Sequence, residues 1–231
     1  MKTILFDFDG TLLKMDQDAF VKSYFGRIAA YFKDIVNPKV MVDAISKGTY
    51  KMVVNDGTKT NEEVFLGVFE ALTGLKADDE MFNQFYLDEF PNTIEACKPD
   101  GKARVLIDLL KAKGYRLVLA TNPLFPRIAT LTRMGFVDLK EEDFALVTTY
   151  DNSSYCKPNL KYYEEIMQKL DLKPEECIMV GNDCDEDMIV NELGVDFYLI
   201  TDNLINKHNK DIKAKFIGSL DEFIELAKNT L

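Results

Sequence analysis

Two aspartates stand two residues apart at the end of an apolar run, in MKTILFDFDGTLLK, as Asp7 and Asp9 with Gly10 and Thr11 directly behind them. The β-branched and aromatic content of the run reads as a buried parallel strand. Leaving an ionised carboxylate unpaired there costs several kcal/mol, so a metal, a donor cluster or a shared proton is expected. Other polar groups end apolar runs further along: Thr121 and Asn122 after VLA, Lys157 before Pro158, Asn182 and Asp183 after IMVG, and Asp187 four residues later. Each also has a plain structural reading. Asp183, Asp185, Glu186 and Asp187 could complement a helix dipole, Asn122-Pro123 could start a helix, and Lys157-Pro158 could be an exposed turn. Together they bring carboxylates, a hydroxyl, an amide and one amine to the ends of apolar runs.

The elements that must position these groups follow from hydrophobic periodicity. From about residue 98 the chain alternates: KPDGKARVLIDLLKAKG helix, YRLVLATN strand, LFPRIATLTRMG helix, FALVTTY strand, PNLKYYEEIMQKLDL helix, ECIMVGND strand, EDMIVNELG helix, VDFYLITD strand. This predicts an α/β fold, a doubly wound and mostly parallel sheet covered on both faces. Ligands of such sheets bind beyond the carboxyl ends of the strands, where the polar groups above lie. Residues 17–97 carry apolar side chains at three- and four-residue spacing and contain no convincing strand. They predict an inserted all-helical domain whose aromatic and methionine positions, Phe20, Tyr24, Phe65, Phe69, Met81 and Phe85, form its core. The expected division is 1–16 and 98–231 for the sheet domain and 17–97 for the helices, with CKPDGK as the return hinge.

Composition narrows the partners. The 231 residues carry a net charge of −11, which argues against nucleic acid or an anionic membrane surface. The basic stretch Asn206–Lys215 is expected to be a solvated face. The N-terminal stretch is neither a secretory signal nor a membrane span, so the expected location is cytoplasmic. Cys97, Cys156, Cys177 and Cys184 show no metal-binding spacing, and only His208 could join them; free thiols are expected.

With these residues in place, the chain resembles the haloacid dehalogenase superfamily. DFDGT matches its first motif through Asp7, Asp9, Gly10 and Thr11. Thr121 stands at the second, Lys157 at the third, and GNDCDED supplies the acidic fourth. The helical insertion looks like a C1-type cap on a HAD-like Rossmannoid core. The resemblance implies a phosphoric monoester hydrolase acting on small phosphorylated metabolites. Asp7 would attack phosphorus, Asp9 would act as general acid and base with Thr11 holding it, and Thr121, Asn122 and Lys157 would bind the phosphoryl oxygens. Lys157 would also pair Asp7. Mg2+ would be held by Asp7, Asp183 and the Asp9 carbonyl, with Asp187 on the same helix face as a further ligand or outer partner. Motif four often reads Gly-Asp, whereas this chain has Gly181-Asn182-Asp183; the charge argument favours Asp183 as ligand over Asn182.

A dehalogenase or phosphonate-cleaving enzyme would share the nucleophile, but Asp9 favours phosphate esters. A sugar phosphomutase of the β-phosphoglucomutase type is the alternative within the same chemistry. A phospho-receiver signalling module is the remote one, since receivers are shorter and lack the insertion. Lys14, Tyr50, Lys51 and Asn55 are candidate specificity residues beside turns.

Overall fold

The computed structural model describes residues 2–75 and 79–230, the side chains of Asp79 and Met81 excepted, so the expected core position Met81 lies outside the described residues. Strand β1, Thr3–Phe6, shows why its residues alternate between two cores. Ile4 and Phe6 face one apolar cluster and Leu5 the other, as the two-residue period of a strand requires. The remaining strands are β2 (Arg116–Leu119), β3 (Leu146–Val147), β4 (Cys177–Gly181), β5 (Asp196–Ile200) and β6 (Phe216–Gly218), in the order β3-β2-β1-β4-β5-β6 with every pairing parallel. Because β1 lies between β2 and β4, its carboxyl end meets theirs. The amides of Asp7 and Ala120 bond to Val180 and Phe6 carbonyls at 2.8 and 2.7 Å, which keeps the three strand ends level.

Helices α5 (Lys102–Ala112) and α8 (Leu220–Asn229) cover the Ile4–Phe6 face. Helix α7 (Leu160–Leu170), capped by Asn159, covers the opposite face with a 3₁₀ stretch, Met188–Leu193. That stretch is where an α-helix was expected. Strand β6 and helix α8 were not read from the sequence. Helix α6 (Arg127–Gly135) starts later than Asn122-Pro123 would have it, with Pro126 as its N-cap. Asn122 therefore does not cap α6, and its side chain bonds instead to Lys157 and Glu186 at the site.

Between β1 and α5 lie α1 (Gln17–Tyr31), α2 (Pro38–Val53), α3 (Asn61–Thr73), α4 (Asp79–Asp88) and a 3₁₀ stretch, Phe90–Ala96. Their starts carry the expected chemistry: Asp16 caps α1, Pro38 follows the Asn37 cap of α2, and Thr60 and Glu63 form a reciprocal box at α3. The helices bury their own cluster, including Phe20, Tyr24, Phe65, Phe69 and Phe85, which also takes in Ala129 of α6 and Cys156. Where the chain leaves and re-enters the sheet portion, Asp16 N bonds to Ala96 O at 2.9 Å and Lys98 N to Lys14 O at 2.7 Å. A second connection runs from the start of α3, where Asn61 N and Glu62 N donate to Ser153 O and Tyr150 O. Among the described residues no helix is long and apolar enough to cross a membrane.

One ion-pair cluster fastens α5 to the loop before β3. Asp143, with a side chain 6% exposed, accepts from Arg104 and Lys111 at 2.5 Å each and from the Lys140 amide at 3.0 Å. Burial opposes its ionisation, yet these donors outweigh burial and bring the carboxyl down to about 2. Since the folded value lies below the unfolded one, the stabilisation is complete above about pH 4 and is lost as pH falls through about 2. Asp143→Asn is therefore expected to lower stability by about 1–2 kcal/mol at pH 7, with the deficit shrinking toward pH 2. Urea denaturation at several pH values measures it; a deficit that does not vary with pH would assign the stabilisation to packing.

Candidate active site

Asp7 follows the last residue of β1 and sits in a pocket, its side chain 11% exposed. Its Oδ1 accepts from Lys157 Nζ at 2.8 Å, and its Oδ2 lies 3.1 Å from the Thr11 hydroxyl. The turn that makes this possible needs Gly10, whose φ of +90° is left-handed and whose missing Cβ leaves room for the Asn182 amide. Thr11 is fully buried and reaches Asp7 and Asn182 Oδ1, the latter at 2.9 Å. It therefore does not hold Asp9 as expected, nor does it line the pocket; it orients the first carboxylate from behind.

Lys157 is also behind Asp7 and not on an exposed turn, with its ammonium fully buried between Asp7 and Asp187, 2.7 Å from the latter. Burial alone would disfavour its cation, but Asp187 and Asp7 hold it well above the ordinary ammonium range. Asp187 also accepts from the amides of Asn182 and Asp183 at 3.1 and 3.0 Å. Gly181 permits this, because a Cβ there would collide with the Asp187 carboxylate. Burial pushes the Asp187 carboxyl up to about 7 against the pull of Lys157.

The expected helix face shared by Asp183 and Asp187 is absent. Residues after Asp183 form a turn that folds Asp187 back under the strand ends, and both its oxygens are engaged by protein donors. Asp183 sits on the pocket wall, with Oδ1 accepting from the amides of Asp185 and Glu186. Asn182 is committed to structure: Thr11 donates to its Oδ1, and its Nδ2 donates to Asn203 O at 2.7 Å.

The pocket is a polar cavity of about 380 Å³ whose walls include Asp7, Asp9, Thr121, Asn122, Asn182, Asp183, Glu186 and Asp187. Thr121 uses its carbonyl to accept from Thr148 and Tyr162 hydroxyls. Asn122 accepts from the Lys157 amide at 3.2 Å and donates to Glu186 at 3.0 Å. Glu186 was not among the expected site residues; burial pushes its carboxyl up to about 7. Gln17, Asp18, Phe20 and Val21 of α1 close the pocket from the helical side, and Lys207 does so from the basic stretch that was expected to be wholly solvated. His208 and Lys210 of that stretch pair with Asp185.

None of Lys14, Tyr50, Lys51 and Asn55 lines this cavity. Lys14 pairs with Asp100 and Asp202, Tyr50 is 63% exposed, and Asn55 is buried against Asn61. Beyond a wall of Phe20, Val21, Leu124 and Phe125 lies a second, apolar cavity of about 170 Å³, lined also by Tyr24, Ile45, Phe65 and Tyr150.

Sequence reasoning also missed Arg133. It pairs with Asp9 through a side chain that is 1% exposed. A signal existed: Arg133 is four residues after Ala129, so it falls on the buried face of α6, where a cation requires a reason. The four cysteines are free as expected, and burial pushes Cys97 and Cys177 up to about 11 and Cys156 up to about 12.

A family model described as haloacid dehalogenase-like hydrolase matches residues 1–190. The chain belongs to this family of enzymes. Among curated relatives of this haloacid dehalogenase-like hydrolase, a glyceraldehyde 3-phosphate phosphatase from Methanothermobacter thermautotrophicus is 36% identical over 104 residues, 45% of this chain and 40% of the relative. The match therefore spans less than half of that protein's length. A pyrophosphatase PpaX from Bacillus cereus is 25% identical over 79% of this chain and 74% of its own. A HAD phosphatase from Thermococcus onnurineus shares the fold with a TM-score of 0.59 at 17% identity, over 98% of this chain and 97% of that one. The family and the names of these relatives support a phosphate hydrolase.

HAD phosphatases in general use a divalent metal. Asp7 and Asp183 offer carboxylate oxygens on one cavity wall, the hard donors such a cation takes. Among the described residues no three acidic, histidine or cysteine side chains are already gathered around a single point. Asp187, its side chain 1% exposed against 11% for Asp7 and tied to Lys157 and two amides, does not fit a direct ligand and fits a role behind the ligands.

Proposed function

We propose that the chain is a Mg2+-dependent phosphomonoesterase of small phosphorylated metabolites that works through an aspartyl-phosphate on Asp7. The observation that carries this reading is the setting of Asp7: it stands on a cavity wall at a rigid strand end, held by Lys157 and Thr11, with Asp9 two residues on. An Asp7 oxygen attacks phosphorus while the ester bond breaks, and Asp9 gives its proton to the departing alkoxide. Asp9 then takes a proton from the water that attacks the same phosphorus, releasing inorganic phosphate and restoring Asp7. Burial raises the Asp9 carboxyl above its ordinary value, although the Arg133 cation lowers it, and this helps it carry a proton. Thr121 and Asn122 line the cavity where phosphoryl oxygens would lie. Lys157 neutralises Asp7 and Asp187 from behind.

Asp7, Asp183 and the Asp9 carbonyl would hold Mg2+, which supplies charge neutralisation between the carboxylates and the phosphate. The segment 17–97 serves as a cap over the cavity, with Gln17, Asp18, Phe20 and Val21 as its contributions to the wall. A small phosphorylated molecule suits a covered cavity, and the two relatives' names point to the same kind of substrate.

The test is phosphate release by the purified protein from a panel of phosphorylated metabolites, with Mg2+ and after EDTA. Release that EDTA stops and Mg2+ restores is the expected result; sugar phosphate consumed without phosphate release would indicate a phosphomutase. The ligand assignment is tested separately. Asp183→Ala is expected to raise the Mg2+ concentration for half-maximal activity by about 10–100-fold or more. Asn182→Ala, which removes the Thr11 and Asn203 bonds, is expected to lower the melting temperature more than it changes the Mg2+ requirement. The reverse ranking would move the ligand to Asn182.

A further inference from the structure

Arg133 is among the largest fully buried side chains of the protein, and no step described above uses it directly. It projects from α6, where its helical neighbours Ala129 and Met134 are also buried. Its guanidinium carbon lies 4.7 Å from the Phe125 ring centre, 5.7 Å from that of Phe20 and 5.8 Å from that of Phe8. These rings come from the loop after β2, from α1 and from the turn after β1. The carboxylate it pairs with is Asp9, through Nη1 and Oδ2. The Nε of Arg133 and the Oδ1 of Asp9 are both buried and lack a hydrogen-bond partner among the described residues.

A buried cation costs several kcal/mol unless it is compensated, and a buried pair often does no better than an apolar replacement of similar volume. Packing alone therefore does not explain an arginine here. A planar guanidinium held by three rings is an orienting device that a flexible ammonium is not. Asp9 needs such a device: it neighbours a second carboxylate, Asp7, on the same cavity wall, and its second oxygen is tied to nothing else.

We propose that Arg133 is the positioning residue of Asp9, fixing the carboxyl so that its proton reaches the leaving oxygen. The proposal rests on the reading of Asp9 as the proton donor. Proton donation matters for a poor leaving group such as an alkoxide and little for one that departs readily as an anion. Loss of positioning must then appear as a change in leaving-group selectivity, which a loss of packing does not produce.

The experiment compares Arg133→Met, Arg133→Lys and Asp9→Asn with wild type on glycerol phosphate and on 4-nitrophenyl phosphate, reading kcat/KM, which covers the steps through phosphoenzyme formation. Thermal melting is followed in parallel. Arg133→Met is expected to lose about 10²-fold on the alkyl ester and at most several-fold on the aryl ester, the lower range of a general-acid contribution. Arg133→Lys keeps the charge without the planar guanidinium that the three rings hold, and should show the same split at about 10-fold. Asp9→Asn should show the largest split. An equal loss on both esters in the arginine variants, beside a split in Asp9→Asn, would overturn the positioning role and leave Asp9 as the acid. No split in Asp9→Asn would overturn the parent reading and this inference with it. If Arg133→Met fails to fold, Arg133→Lys decides alone: wild-type rates on both esters, or an equal loss on both, overturn the proposal.

Discussion

Asp7→Asn is expected to reduce phosphate release from any ester the enzyme accepts by about 10⁴-fold or more, as removal of a covalent nucleophile does elsewhere. The amide has the shape of the carboxylate and its oxygen can still accept a hydrogen bond, so the fold is retained; Lys157 keeps the Asp187 carboxyl as a partner. An amide oxygen is a far weaker nucleophile and carries no charge for a cation. Acid-quenched wild-type enzyme should contain a protein-bound phosphate labile to hydroxylamine, and the variant should contain none. Turnover within about 10-fold of wild type in a correctly folded variant would remove Asp7 from the chemistry.

Lys157→Met should have the largest effect on stability. The substitution leaves Asp7 and Asp187 facing each other in the interior without the cation that separates them, and breaking a buried pair in this way costs about 3–5 kcal/mol. The pH dependence follows from the same geometry. Asp187 already has its carboxyl pushed up to about 7 by burial, and without Lys157 it holds its proton more strongly still. Protonation relieves the repulsion, so the deficit of the variant is larger at about pH 8, above the wild-type Asp187 value, than at about pH 5.5, below it. Urea denaturation at the two pH values measures it. Activity should fall with stability, because Asp7 loses its Oδ1 partner. A variant within about 1 kcal/mol of wild type at pH 8 would show that water or rearranged dipoles can replace the ammonium.

Much of this was legible because the decisive patterns are local. The run ILF before Asp7 is a strand by periodicity and β-branched content, and the alternation after residue 98 leads directly to a parallel sheet with helices on both faces. Thr121, Asn122 and Asp183 could be collected as strand-end residues because such a sheet exposes its carboxyl ends, and the structure does place them on one cavity wall with Asp7 and Asp9. The short β6 escaped notice because three residues, one of them exposed and one a glycine, carry too little periodicity, whereas the helix after it was legible from the Ser219–Glu222 capping pair and the apolar spacing of Leu220, Phe223, Ile224 and Ala227.

Side-chain partners were another matter. Thr11 is two residues from Asp9, yet its hydroxyl goes to Asp7 and to Asn182, 171 residues away in sequence. Asp187 has helical spacing from Asp183, but a buried lysine 30 residues upstream draws it under the strands, and the local structure is a turn followed by 3₁₀ helix. Arg133 meets Asp9 across 124 residues of sequence, in a cage whose rings come from three separate segments. Periodicity and turn chemistry act over a few residues and so determined the sheet, the inserted helices and the end of the sheet where polar groups gather. The pairing of each buried charge depends on which oppositely charged group arrives within about 3 Å in a medium that cannot solvate it, and only the packed tertiary structure decides that.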